Sequence, residues 1–180
     1  MNLEAIEGYE PKHRTWRVIV ETPADSAAKY RYDPDLRTME VAHFLPEGFA
    51  FPYSFGFIPS TKGDDGDPLD VLLLADTGIF PGCAVWCRLV GVIEGKQKER
   101  GKSERNDRLI GVAVESRRYG MIKDLDDLGP KQIEDIGHFF EGYNRVLGRT
   151  FRLIGTAGAK KAVRLARDGM TGRKKSKPSR

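Results

Sequence analysis

The spacing of apolar residues changes once along this chain, and that change restricts the fold more than any other feature. Before Gly129-Pro130 the chain is a series of short runs rich in β-branched and aromatic residues, divided by Gly, Pro and Asp. Residues 16–21, 38–44, 71–74, 83–93 and 109–114 read as strands, the first ending before Pro23. Residues 94–108, polar and dense in both signs of charge, read as a long exposed hairpin loop. After Pro130, which suits a first helical turn, Ile133, Ile136, Phe140, Tyr143 and Leu147 recur every three or four residues. That stripe predicts a helix packed by one face. A second helix over residues 159–168 turns Ala159, Ala162, Val163 and Ala166 inward and Lys160, Lys161, Arg164 and Arg167 outward, with Gly169 as its C-cap. Strands followed by helices indicate the α+β class: a small, closed or partly closed barrel with two C-terminal helices against it.

A chain of 180 residues, 39% of them hydrophobic, supports one domain with a substantial core, expected over residues 1–170. Residues 171–180 hold five cations and no acid, so without them the formal charge of +4 becomes −1. The basicity thus belongs to a short tail, expected to be disordered, and the near-neutral body argues against a nucleic-acid partner. No apolar run is long enough for a transmembrane helix, and the first residues lack the layout of a secretion signal, so a cytoplasmic protein is expected. Cys83 and Cys87, on one face of a strand roughly 13 Å apart, are expected to be two buried free thiols.

The chemistry concentrates in Asp64-Asp65-Gly66-Asp67-Pro68-Leu69-Asp70. Carboxylates this close raise one another's pKa unless a cation neutralises them. Asp64 reads as a solvated turn residue. The other three precede a strand directly, and Pro68 holds Asp67 extended, which fits a rigid hard-oxygen site for Mg²⁺ or Mn²⁺ better than one for zinc. An EF-hand counted from Asp65 fails, because its sixth position is Asp70 where glycine is needed. Mg²⁺ held by one or two carboxylates, with water and phosphate oxygens completing the shell, suits phosphoryl transfer.

The run Asp65-Gly66-Asp67-Pro68-Leu69-Asp70-Val71 resembles the signature D-x-D-P-x-D-V of the soluble (family I) inorganic pyrophosphatases. Further likeness lies in Val18-Ile19-Val20-Glu21-Thr22-Pro23, Lys29-Tyr30, Phe55-Gly56-Phe57-Ile58, Ile122-Lys123-Asp124 and His138-Phe139-Phe140-Glu141 with Tyr143, in consistent order over about residues 14–155. The resemblance implies an OB-like five-stranded barrel, Mg²⁺ dependence, inorganic diphosphate as substrate and a homo-oligomer, hexameric or smaller. It implies that Asp65 and Asp70 bind metal, that Asp67 orients or deprotonates a metal-bound water, that Lys29 and Tyr143 hold phosphate, and that Glu21 anchors from behind. A core tyrosine is an equally good reading of Tyr143.

The chain also departs from the family's pattern. Arg31 stands for a metal-binding glutamate, His43 for an arginine, Phe51 and Phe55 for two phosphate-pocket tyrosines, and Asn144 for a lysine. Arg145 lies about 100° further round the helix and does not replace that lysine. In the charged segment the first of two further metal aspartates falls near Gln97. The second falls at Asn106 or, with a one-residue slip, at Asp107, and the following lysine is Arg108. Arg31 is expected to substitute for one Mg²⁺ in charge. The leading expectation is a metal-dependent diphosphate hydrolase, slowed or altered in substrate; the alternative is a catalytically impaired relative that binds a phosphate compound or a partner.

Overall fold

The computed structural model describes residues 2–63, 66–99 and 101–170. Asp65 and the basic tail lie outside the described residues. In chain order the strands are β1 (Tyr9–Glu10), β2 (Thr15–Thr22), β3 (Ala28–Asp33), β4 (Thr38–Phe44), β5 (Ser54–Ile58), β6 (Leu69–Leu74), β7 (Ala84–Glu99), β8 (Lys102–Arg105) and β9 (Arg108–Ala113). Helix α1 (Pro130–Val146), strand β10 (Thr150–Gly158) and helix α2 (Ala159–Gly169) follow.

Five strands close on themselves in the order β2, β5, β6, β9, β7 and back to β2, with β6 and β9 parallel and the remaining ring neighbours antiparallel. Strand β1 pairs with β2, while β8 and β10 pair with β7; β3 and β4 form a separate hairpin. This is the expected α+β barrel with two helices. Closure needs a close approach between β2 and β5: a Cβ on Gly56 would lie 1.9 Å from the Ile19 carbonyl oxygen. Only glycine fits there.

Alternation along the ring strands feeds two cores. Val71 and Leu73 of β6, with Trp16, Val18 and Leu109, pack on Ala162 and Ala166 of α2. Leu72 and Leu74, with Phe55, Ile110 and Val112, pack on Ile136 and Phe140 of α1. Each such buried side chain stabilises the fold by about 1.5–3 kcal/mol before chain entropy is charged against it. Among the described residues no helix is long and apolar enough to cross a membrane.

Three expectations are corrected. Residues 94–108 are not one loop: β7 runs on to Glu99 and pairs with β8 from Lys96↔Arg105 to Glu99↔Lys102. A solvated two-stranded ladder tolerates charges on both faces, so polarity alone did not exclude strands. Cys83 is exposed in the turn before β7, and only Cys87 is buried. Gly169 is the last residue of α2, and the cap is Met170.

Candidate active site

Two irregularities in strand pairing aim side chains at one cavity of about 620 Å³. In β2, Val20 pairs with Gly56 and Thr22 with Phe55, so Glu21 is the extra residue of a bulge. Its side chain lines the cavity, with Oε1 accepting from Tyr32 N at 2.7 Å and Oε2 3.7 Å from Lys29 Nζ. Burial raises the Glu21 pKa, against the opposing pull of Lys29 and the Tyr32 amide. In the β3–β4 hairpin Lys29 pairs with His43, beside a second register shift.

The parallel pairing of Val71 with Leu109 sets the preceding residues, Asp70 and Arg108, side by side. They form an ion pair through Oδ2 and Nη1, and both line the cavity together with Asp67. A pair half open to water is weak, so Asp70 can exchange Arg108 for another cation.

Helix α1 supplies the opposite wall. Tyr143 packs on Phe139 and Phe51, and its hydroxyl lies 3.1 Å from His43 Nε2. Burial raises the Tyr143 pKa, so the phenol stays protonated at neutral pH. Burial first, then Lys29 and Arg149, lower that of His43. Phe51 and Phe55 form an apolar floor where hydroxyls were expected to be missing.

Arg31 lines the rim, with Nε 2.5 Å from Glu40 Oε1 across the hairpin. Gln97 and Asn106 line the cavity and bond to each other, Asn106 Nδ2 donating to Gln97 Oε1 at 2.7 Å. Asp107 is not part of this wall: its Oδ1 accepts from Arg105 Nε at 2.7 Å and Gly95 N at 3.2 Å. Arg105 also reaches Glu94, which Lys161 engages too, so Asp107 belongs to an ion-pair network elsewhere. Arg149, at the turn into β10, lines the cavity and was missed by sequence reasoning. Its only sequence signal is a cation straight after the glycine that ends the helix.

Asp67, Asp70 and Glu21 are among the carboxylates that line the cavity, and their hard oxygens suit Mg²⁺ or Mn²⁺. Among the described residues no three His, Cys, Asp or Glu side chains converge as a metal cage. A metal here would be held by one or two carboxylates and completed by water and phosphate oxygens.

The model of the family described as inorganic pyrophosphatase matches residues 18–173. An inorganic pyrophosphatase of Synechocystis is 32% identical over 146 residues, covering 81% of this chain and 84% of that protein. That of Thermus thermophilus is 32% identical over 157 residues, 87% of each chain. A crystal structure of the Thermus thermophilus enzyme superposes with a TM-score of 0.86 at 33% identity, over 94% of this chain and 97% of the other. One from Neisseria gonorrhoeae gives a TM-score of 0.81 at 28% identity, over 93% and 96%. With a closed five-strand barrel, two helices and a carboxylate-and-cation cavity in place, the chain belongs to the inorganic pyrophosphatase family.

Proposed function

We propose that this protein hydrolyses inorganic diphosphate to two phosphates with Mg²⁺, or Mn²⁺ in its place. The observation that carries the reading is one cavity in which Asp67 and Asp70 face Lys29, Arg108 and Tyr143. Asp65 and Asp70 would hold the metal, which would supply charge neutralisation for the diphosphate and a more acidic water. Asp67 orients the attacking water and accepts its proton. Lys29 and Arg108 bind phosphate oxygens as cations, Tyr143 donates its hydroxyl, and Arg31 adds charge at the rim. His43, neutral because its pKa is lowered, holds the Tyr143 hydroxyl. Glu21 fixes the Lys29 ammonium. Asn106 takes the place of a further ligand, and Asp107 contributes through its grip on Arg105.

We further propose that residues 1–170 act as one domain in the cytoplasm and that copies associate, up to a hexamer. Support for association comes from the exposed apolar side chains Phe44, Phe80 and Met121. Light scattering on the purified chain tests it.

The decisive measurement is phosphate release from diphosphate with Mg²⁺, set beside Asp67→Asn. Release that disappears in the variant is the expected result. No release from the wild type under Mg²⁺ or Mn²⁺ would overturn the hydrolase reading in favour of a binding protein.

A further inference from the structure

The wall position after Tyr143 holds no cation. Asn144 is buried and directs its amide into its own helix, Nδ2 donating to the Phe140 carbonyl at 2.8 Å. Arg145 is exposed. The cation comes instead from the next turn. Gly148, at φ 71°, reverses the chain, Arg149 N donates to the Asn144 carbonyl at 2.9 Å, and the Arg149 side chain enters the cavity wall.

Three cations surround the Tyr143–His43 pair: Arg149 acts electrostatically on both rings, Lys29 on His43 and Arg108 on Tyr143. They differ in how far they are already neutralised. Lys29 faces Glu21 and Arg108 faces Asp70, both inside the cavity. The partner of Arg149 is Glu99, which lies outside the wall. Arg149 Nε is 3.0 Å from Glu99 Oε2 but misaligned, so the contact is an ion pair and Nε is left without a hydrogen bond. Among the described residues the terminal nitrogens of Arg149 have no hydrogen-bond partner either.

We propose that Arg149, with Lys29, Arg108 and the Tyr143 hydroxyl, forms a seat that binds a phosphate dianion without metal, and that Arg149 sets its affinity. The inference rests on the diphosphate reading of the cavity. A guanidinium fork suits phosphate oxygens and keeps its charge at any working pH. The wall bearing Asp67 and Asp70 is anionic and repels phosphate unless a metal is present. One phosphate is therefore held by side chains alone, and only the other needs the metal.

The test is calorimetric titration of the full chain in EDTA with inorganic phosphate and with methylenediphosphonate, which cannot be hydrolysed. Wild type is expected to bind the diphosphonate without metal, and Arg149→Ala to weaken it at least about tenfold, the loss of one charge-assisted contact. Arg149→Lys should fall between. Arg149→Gln, which keeps the stem and removes the charge, replaces the alanine variant if that fails to fold. No binding in EDTA, or equal binding by wild type and the uncharged variant, overturns the seat. Phosphate release with Mg²⁺ is read separately: Arg149-dependent binding without turnover would sink the hydrolase reading and leave the seat standing.

Discussion

The Tyr143 hydroxyl and His43 Nε2 meet at 3.1 Å, joining the wall built by α1 to the hairpin that carries Lys29. The two rings also stack, with centroids 5.9 Å apart. The phenol is thereby held in the cavity wall by a neighbour that supplies orientation without charge. Tyr143→Phe should lower kcat/KM for diphosphate about tenfold or more while changing unfolding free energy by only about 1 kcal/mol. Steady-state kinetics and urea denaturation measure the two quantities. A large stability loss with unchanged kinetics would make Tyr143 a core residue only.

His43 also gives a pH signature. Its folded pKa lies below the ordinary 6.5, so the folded state binds fewer protons than the unfolded chain. The stability this contributes is present above about pH 6.5 and is lost as pH falls through the depressed value. Melting curves between about pH 7.5 and 5 should therefore drop more steeply for wild type than for His43→Gln. Parallel curves would count against the assignment.

Arg31 tests the balance between side-chain charge and bound metal. It stands where the family resemblance implies a carboxylate, lines the cavity rim and is held there by Glu40. Arg31→Glu should raise the number of Mn²⁺ ions bound per chain in equilibrium dialysis and change the Mg²⁺ dependence of turnover. If both stayed the same, the guanidinium does not substitute for a metal.

Gly56→Ala sets a Cβ against backbone, which cannot move aside as a flexible side chain can. We expect a loss of about 3 kcal/mol or more in urea denaturation, at the upper end for overpacking. A loss below about 1 kcal/mol would mean that β2 and β5 can part enough to admit a methyl group.

The two thiols should react very differently. Cys83 is exposed, whereas burial pushes the Cys87 thiol up to about 12. An aromatic disulfide reagent should titrate one thiol per folded chain and two in urea. Two fast thiols in the folded protein would contradict the packing of Cys87.

Much of this architecture was legible because apolar periodicity is strong where burial is strong. Residues 71–74 and the α1 stripe face cores, and both were readable. Strand β10 was not, because only Phe151 along it is buried, while Thr150, Arg152, Ile154 and Thr156 are exposed. In β3 the lysine and arginine alternate with tyrosines, so the run lacked an apolar signature. The aspartate run was visible as local chemistry, and Lys29 through the family resemblance alone. Arg149 was not, because its place in the cavity depends on a turn at Gly148 and on β10 pairing back onto β7. That Asn106 lines the cavity while Asp107 pairs with Arg105 was equally hidden, because it depends on contacts that reach Glu94 on another strand.

Strand β2 has consequences for the order of events during synthesis. It pairs on one side with β5 and on the other with the first residues of β7. Chains are made N-terminus first, at about 5–20 residues per second, so β2 leaves the ribosome seconds before the residues that cover its second edge. Until then the growing chain carries an open strand edge, the kind of surface through which chains pair with one another. Completion of the ring thus waits for β9, and the full enclosure of Trp16 and Val18 waits longer still, for α2, which follows the helix that brings Tyr143 to the cavity.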